Sequence, residues 1–361
     1  MLTGVEFASI ARRAMAAAGL SLRATARAAH FDVTHLSRVL NCHRPPSYAL
    51  ACALDDVLGT DEALRSLVPD PDAPPPSEAV QRIRDSVAAL LRHDNEYGPN
   101  HVASAGVQVW KSAVRNMIVD DRNYVTAAAE AAQVAGWLLH GANRPAEAWR
   151  ALTEALALAA DIRDRPMMWF CKDLLAMAAI ADQQPRDASA LADSLLTDAR
   201  VPHRVALMAH VRQARALAQS GDTVRASNTM ARALGGFQDS DSDRDPQWTW
   251  WIDEGEVTHH HGLMLVDAGD ARGALPYLDA GLSLALSTNP KRNRAKQYAV
   301  GYVGALVSVG AWRDAEEIIT RHIAPLDYVS GRVALRWERT LALADRHGPA
   351  WFKDLASSVS I

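Results

Sequence analysis

Thr34, His35, Ser37 and Arg38 place two hydroxyls, an imidazole and a guanidinium within five residues. On one outward helix face, such donors and acceptors can hydrogen-bond base edges in a major groove, and Arg38 could donate bidentately to a guanine. Arg23 and Arg27 lie upstream, with Asn41, His43 and Arg44 just downstream. These side chains suit phosphates, which set register on a duplex without reading its sequence. Through Leu54 the basic residues Arg12, Arg13, Arg23, Arg27, Arg38 and Arg44 stand against only Glu6 and Asp32. That local excess fits a phosphate-contacting module even though the whole chain carries a net charge of −4.

Such a face needs two short helices joined by a bend. Leu22–Ala29 and Val33–Leu40 have amphipathic spacing, and His30–Phe31–Asp32 breaks them. Asp32 can cap the second run, because its carboxylate can accept from orphan amides at the helix start. Ala26 is small where the helices must approach, and Leu36 and Val39 point toward a core. Before them, Phe7, Ile10, Ala11, Ala14, Met15 and Ala18 recur at helical spacing until Gly19. After them, Pro45-Pro46-Ser47 stops the chain and opens a helix over Tyr48–Leu58, closed by Gly59, and Asp61 opens a last short helix through Val68. Five helices in this order, carried by GLSLRATARAAHFDVTHLSRVL and RPPSYALACALDDVLG, resemble the phage-repressor-like (Xre family) helix-turn-helix domain. The resemblance covers residues 1–68 and implies that the second run reads double-stranded DNA. One departure stands out: His30 takes the place where that turn usually has glycine.

The 361 residues suffice for two or more domains. Pro69–Ser77, PDPDAPPPS, cannot continue a helix and reads as an extended linker. Cys42, Cys52 and Cys171 are too few for a disulfide framework and lack zinc spacing, which suits a reducing, cytoplasmic setting. No basic segment followed by an apolar core opens the chain, so no signal peptide is expected. The longest near-apolar run, Ala299–Trp312, is too short to span a bilayer.

Residues 78–361 read as helix throughout. Glycine followed five residues later by alanine recurs at Gly141/Ala146, Gly221/Ala226, Gly269/Ala274 and Gly310/Ala315, with Gln183/Ala188 as a weaker member. Their starts are 42, 38, 48 and 41 residues apart. Gly262 and Ala214 are small residues seven places before their repeat's glycine, where paired helices should touch. The pattern resembles the tetratricopeptide repeat over about 125–346, with spacings above the usual thirty-four or so. An array of that kind presents a long concave face lined by the first helix of each pair. On this alignment Phe170, Asp173, Met208, Arg215, Glu256, His259 and Gln297 belong to an effector groove, whose mix of charge and apolar surface suits a peptide. The tryptophans of QWTWW (Gln247–Trp251) either anchor a ligand or partner subunit or pack beneath their loop. Val80–Leu91 and Val102–Met117 are helices that match the repeat poorly; they either cap the array or couple it to the first domain. A helix near Ala350–Ser358 caps the far end.

Other chemistries are disfavoured. Consecutive His259, His260 and His261 point about 100° apart on a helix and cannot share one metal ion. Asp239, Asp241, Asp243 and Asp245 alternate like a calcium loop, but Arg244 and Trp250 stand where glycine and glutamate are needed. Lys291, Arg292, Arg294 and Lys296 read as a solvated basic loop and helix start. No phosphate-cradling loop, nucleophile elbow or zinc-protease motif occurs, so neither catalysis nor a metal or other cofactor is expected. The expected fold class is all-α, a helix-turn-helix domain followed by a tetratricopeptide-like α-solenoid. Together the halves resemble bacterial transcriptional regulators, in some of which the array dimerises and binds a short signalling peptide, as in quorum sensing. The resemblance implies a DNA-binding homodimer that does not enter a membrane. The competing reading is a non-enzymatic interaction scaffold whose first bundle binds protein instead of DNA.

Overall fold

A computed structural model describes residues 2–60, 63–68, 77–237, 245–288, 293–324 and 330–359. Asp61, residues 69–76 of the proline-rich segment, Asp239, Asp241 and Asp243 of the acidic loop, and Lys291 and Arg292 of the basic cluster lie outside the described residues. Among those described there is no strand. The chain divides into two compact units, one built on Met1–Ser77 and one on Glu78–Ser240 with Pro246–Ile361.

The first unit contains α1 (Leu2–Ala17), α2 (Leu22–Ala28), α3 (Val33–Leu40) and α4 (Tyr48–Leu58). Side-chain oxygens open three of them: Ser21 accepts from the Ala24 amide, Asp32 from His35 and Ser47 from Leu50, at 3.0–3.3 Å. Each such cap satisfies an amide that has no partner inside its helix, worth about 1 kcal/mol. Phe7, Leu36, Val39, Leu50, Leu54 and Leu64 are fully buried in one core. Each contributes roughly 1.5–3 kcal/mol by leaving water. The bend after α2 falls at His30, whose φ is +56°, and the Phe31 amide reaches back to the Ala26 carbonyl at 2.9 Å. This is the helix-ending bond pattern normally given to glycine.

The helix expected over Asp61–Val68 is shorter. Among the described residues it is a 3-10 turn, Arg65–Leu67. The buried Asp55 carboxylate takes the Leu64 and Arg65 amides at 2.9 and 2.8 Å and also the Thr60 hydroxyl, so these groups are spent on α4.

The second unit opens with α5 (Glu78–Tyr97) and α6 (Ala103–Arg115), which pack on α7. Six helix pairs follow. They are α7 (Arg122–Gly141) with α8 (Pro145–Asp161), α9 (Arg165–Ala181) with α10 (Pro185–Leu196), and α11 (His203–Gln219) with α12 (Thr223–Gly236). Then come α13 (Glu254–Asp267) with α14 (Ala271–Thr288), α15 (Asn293–Ser308) with α16 (Trp312–Ile318), and α17 (Gly331–His347) with α18 (Ala350–Ser358). Gln183, Gly221, Gly269 and Gly310 all take left-handed backbone at the turn inside a pair. Five residues on, Ala188, Ala226, Ala274 and Ala315 are wholly buried.

The first pair needs a correction of register. Its left-handed residue is Asn143 (φ +58°), and the buried alanine is Ala148, while Ala146 is exposed. Gly141 ends α7 for another reason: a Cβ there would stand 2.6 Å from the Pro99 ring. With Asn143 as the turn, Gly136 falls seven residues earlier, as Gly262 does before Gly269. A Cβ on Gly136 would meet Leu152 at 2.5 Å, and one on Gly262 would meet Leu278 at 2.7 Å. Leu152 and Leu278 each stand nine residues after their turn. The two pairs are therefore built on the same close approach.

The first helices of the pairs do not line an open face. Each of α7, α9, α11, α13, α15 and α17 touches the next, and α17 returns to α7. The closure is pinned where the Gly331 amide donates to Asn100 Oδ1 at 2.9 Å. Gly301 and Gly304 of α15 admit α17 closely, since Cβ atoms there would stand 3.2 Å from Arg336 and Thr340. The expectation of a single open concave groove fails because the array curves far enough to close on itself.

Candidate functional sites: an exposed helix face and a closed ring interior

On the first unit, α3 is held by Leu36, Val39 and Leu40 beneath it, which turns the opposite face outward. Thr34 and Arg38 are exposed, and His35 and Ser37 are half-buried. Arg23 and Arg27 on α2, and Asn41, His43 and Arg44 beyond α3, are exposed. The His35 ring leans on Phe31, with centroids 5.8 Å apart, and its Nε2 is buried without a partner. The Asp32 carboxyl lies below the ordinary range, chiefly because it accepts from the His35 amide, so the charged cap persists into mild acid. Among the described residues, Arg23, Arg27, Arg38 and Arg44 form no ion pair. Two shallow grooves flank α3: Ser21, Leu22, Arg23, Val33, Thr34 and Ser37 line one, and Arg12, Met15, Leu22, Ser37, Leu40 and Asn41 line the other.

Arg12 is the residue that sequence reasoning left out of this site. Its guanidinium donates to Asn41 Oδ1 at 2.7 Å, which orients the carboxamide and brings one more cation to the end of α3. A signal was available: Arg12 lies on α1 between the buried Ala11 and Ala14, on the rim of the apolar face.

In the ring interior, polar groups are spent on one another. Arg212 forms a bidentate pair with Asp173 at 2.9 and 3.1 Å. Arg215 binds Asp267 at 2.7 Å, and Asp267 also accepts from Gln219. Glu256 accepts from the Tyr298 hydroxyl at 2.5 Å and from His260 Nε2 at 3.1 Å. His260 Nε2 also lies 3.2 Å from Arg212 Nη1, and its Nδ1 faces Arg215 at 3.5 Å, so the ring sits between one carboxylate and two guanidinium groups. Burial pushes the Glu256 carboxyl up, but His260, Arg294 and Tyr298 together outweigh it and hold the group well below the usual carboxylate range. Burial lowers His260 to about 4 and takes His140 and His259 well below their ordinary value, so all three rings are neutral at pH 7.

The seven groove candidates do not share an open surface. Asp173, Met208 and His259 are buried, with Asp173 closed by Arg212 and His259 stacked on Tyr298 at 3.5 Å. Arg215 and Glu256 are mostly enclosed in the network just described. Gln297 is half-buried, and Phe170 stacks on Trp248 at 4.5 Å. Trp248 also donates to the Pro166 carbonyl, so this member of QWTWW packs under its loop, whereas Trp250 is 67% exposed. The three histidines diverge: His259 meets Tyr298, His260 meets Glu256, and His261 meets Tyr277. Sequence reasoning missed Arg332 and Arg336 of α17, which enter this interior. The repeat of arginine at 332, 336 and 339, on one helix face, was the signal.

These two constructions define the class: an all-α protein with a helix-turn-helix domain ahead of a tetratricopeptide-like helical array. Residues 6–68 match the family model described as a helix-turn-helix domain. No curated protein matches the chain. Among solved structures, a Rap protein complexed with Competence and Sporulation Factor is 10% identical, with a TM-score of 0.47. That match covers 77% of this chain and 86% of that one. PlcR of Bacillus thuringiensis, solved with the peptide PapR7 and DNA, is 12% identical, with a TM-score of 0.34. That match covers 97% of this chain and 99% of the other. No helix of the described residues is long and apolar enough to cross a membrane.

Proposed function

We propose that this chain is a sequence-specific, DNA-binding transcriptional regulator of the cytoplasm whose α3 enters the major groove. One observation carries the reading: Thr34 and Arg38 on α3, with Arg23, Arg27 and Arg44 around it, are exposed and have no intramolecular ion pair to give up. Arg38 donates to a guanine, while Thr34, His35 and Ser37 meet neighbouring bases. Arg23, Arg27, Asn41, His43 and Arg44 grip phosphates and set register. A single module of this size makes few contacts, so the working form is a homodimer on two half-sites about 34 Å apart. The second unit supplies the dimer contact and takes a peptide or small effector.

Fluorescence anisotropy on specific and scrambled duplexes tests the assignment. Arg38→Ala costs about 1–3 kcal/mol on the specific duplex alone and relaxes preference at one base position. Arg44→Ala weakens both duplexes alike and lowers the salt slope by about one. Equal losses for both variants on both duplexes would remove α3 from the groove. A binding constant insensitive to salt would favour a protein-binding bundle instead.

A further inference from the structure

We infer that the ring interior holds a binding site for a compact oxyanion, a phosphate or dicarboxylate group, clasped by Arg336 and Arg332 of α17. The inference rests on the reading above that the second unit takes an effector, and it names the chemistry of the group that anchors it.

The charges do not balance inside the ring. Arg212, Arg215, Arg332, Arg336 and Arg339 stand within one another's fields or those of shared neighbours. Asp173 is committed to Arg212, and Asp267 to Arg215. Asp182 stands 3.7 Å from Arg332, beyond hydrogen-bond range. Glu256 already serves Arg294, His260 and Tyr298. Among the described residues, Arg336 and Arg339 therefore have no carboxylate of their own. Crowding by protein, then the charges of Arg215 and Arg332, lower Arg336 to about 10, yet it stays protonated at pH 7.

Unmet donors and acceptors point the same way. Arg332 Nη1 is buried with no hydrogen-bond partner, and so are the Nδ1 atoms of His140 and His259. Both rings are more than nine-tenths buried. Gly301 brings the His259 ring and the Arg336 guanidinium to one spot: a Cβ there would stand 3.2 Å from Arg336 Nη1 and 3.6 Å from His259 Cε1. Arg336 itself is open to solvent, so a small solute can reach it. Among the described residues the Arg336 fork has no carboxylate, and Arg332 shares only a 3.7 Å ion pair with Asp182; together they match a planar or tetrahedral oxyanion, which accepts bidentately. Neutral imidazoles add a donor without further repulsion.

The test is thermal stabilisation and calorimetry of the full chain with inorganic phosphate or succinate, each against chloride at equal ionic strength. Saturable binding is expected, and the tighter of the two anions identifies phosphoryl or carboxylate as the anchoring group. Arg336→Gln and Arg332→Gln each weaken it by at least about tenfold. Arg321→Gln, at an exposed arginine paired with Glu317, leaves it unchanged. Arg336→Lys keeps the charge without the fork and is expected to fall between wild type and Arg336→Gln, which remains readable if the glutamine variant fails to fold. Absence of saturable binding by either anion, or an equal loss in Arg321→Gln, would overturn the site. Operator binding is measured in parallel with and without phosphate. Phosphate binding with unchanged DNA affinity upholds the site while overturning the effector reading on which it rests.

Discussion

The two units use polar side chains in opposite ways. Around α3, Arg23, Arg27, Arg38 and Arg44 are exposed and form no ion pair among the described residues, whereas inside the ring Arg212, Arg215 and Arg294 are each tied to a carboxylate. Water satisfies an exposed guanidinium at little cost, so the first unit can keep its donors in reserve for a partner. An enclosed guanidinium has lost that hydration and must find a replacement within the fold. Exposure thus separates a surface available for recognition from a network that specifies packing. Arg336 is the instructive exception: it belongs to the ring yet is exposed and, among the described residues, has no carboxylate of its own, while Arg332 beside it has only a 3.7 Å pair with Asp182.

The sharpest way to break this contrast is to remove one cation from each unit. Arg212→Met leaves Asp173 charged and enclosed, and is expected to cost about 3–5 kcal/mol. Arg38→Met on α3 is expected to stay within about 0.5 kcal/mol, read by amide hydrogen exchange in α1–α4. All ten tryptophans, from Trp110 to Trp351, belong to the second unit, so their fluorescence in urea reports on it alone. A loss below 1 kcal/mol for Arg212→Met would mean that the Asp173 pair is not enclosed as described. Adding Asp173→Leu to Arg212→Met should recover much of the loss, because the stranded charge goes with it.

Acid sharpens the same contrast. In the folded chain His260 binds its proton only near pH 4, against about 6.5 when unfolded. Between those values the unfolded state holds more protons, so stability rises with pH and falls as the solution is acidified. By pH 5 His260 alone removes about 2 kcal/mol, and His140 and His259 act in the same direction. Glu256 adds its own loss only below its unfolded value near 4.5. The tryptophan-detected urea midpoint should therefore drop steadily from pH 7 to pH 5, and a flat profile would place these rings in contact with water.

Packing offers a third, smaller effect. Gly262→Ala puts a Cβ 2.7 Å from Leu278, and Gly136→Ala puts one 2.5 Å from Leu152. Each should cost about 1–3 kcal/mol in the second unit, measured by the same fluorescence. Gly235→Ala, with nothing within 4 Å, serves as the control.

These cases also mark what was legible in the chain. Asp32, Ser47 and the His30 bend act over three or four residues, so the helix-turn-helix could be read directly. Asp55 acts on amides nine and ten residues away, which no local pattern announces, and the last helix was overestimated. Gly141 drew the first repeat two residues out of register because asparagine also tolerates left-handed backbone, and Asn143 carries the turn. The groove was misplaced for a geometric reason. Ring closure joins Asn100 to Gly331 across 231 residues, through curvature accumulated over every pair, and converts candidate surface residues into interior ones.

The smallest prediction concerns the bend itself and separates fold from recognition within the first unit. His30 is exposed, with a φ of +56°, and its amide donates to the Arg27 carbonyl at 3.2 Å. A side chain in this conformation meets the following carbonyl, at a cost of about 1 kcal/mol that glycine avoids. Glycine gives back part of the gain through its freer unfolded chain, so His30→Gly should stabilise the unit by about 0.5 kcal/mol. Hydrogen exchange at the Phe31 amide, which closes the bend on Ala26, reads this as slower exchange. Specific DNA affinity should be unchanged, because His30 lies in the turn before α3 and not on the helix that carries Thr34, His35, Ser37 and Arg38. If affinity falls while exchange slows, His30 takes part in recognition, and the turn keeps a strained histidine for contact.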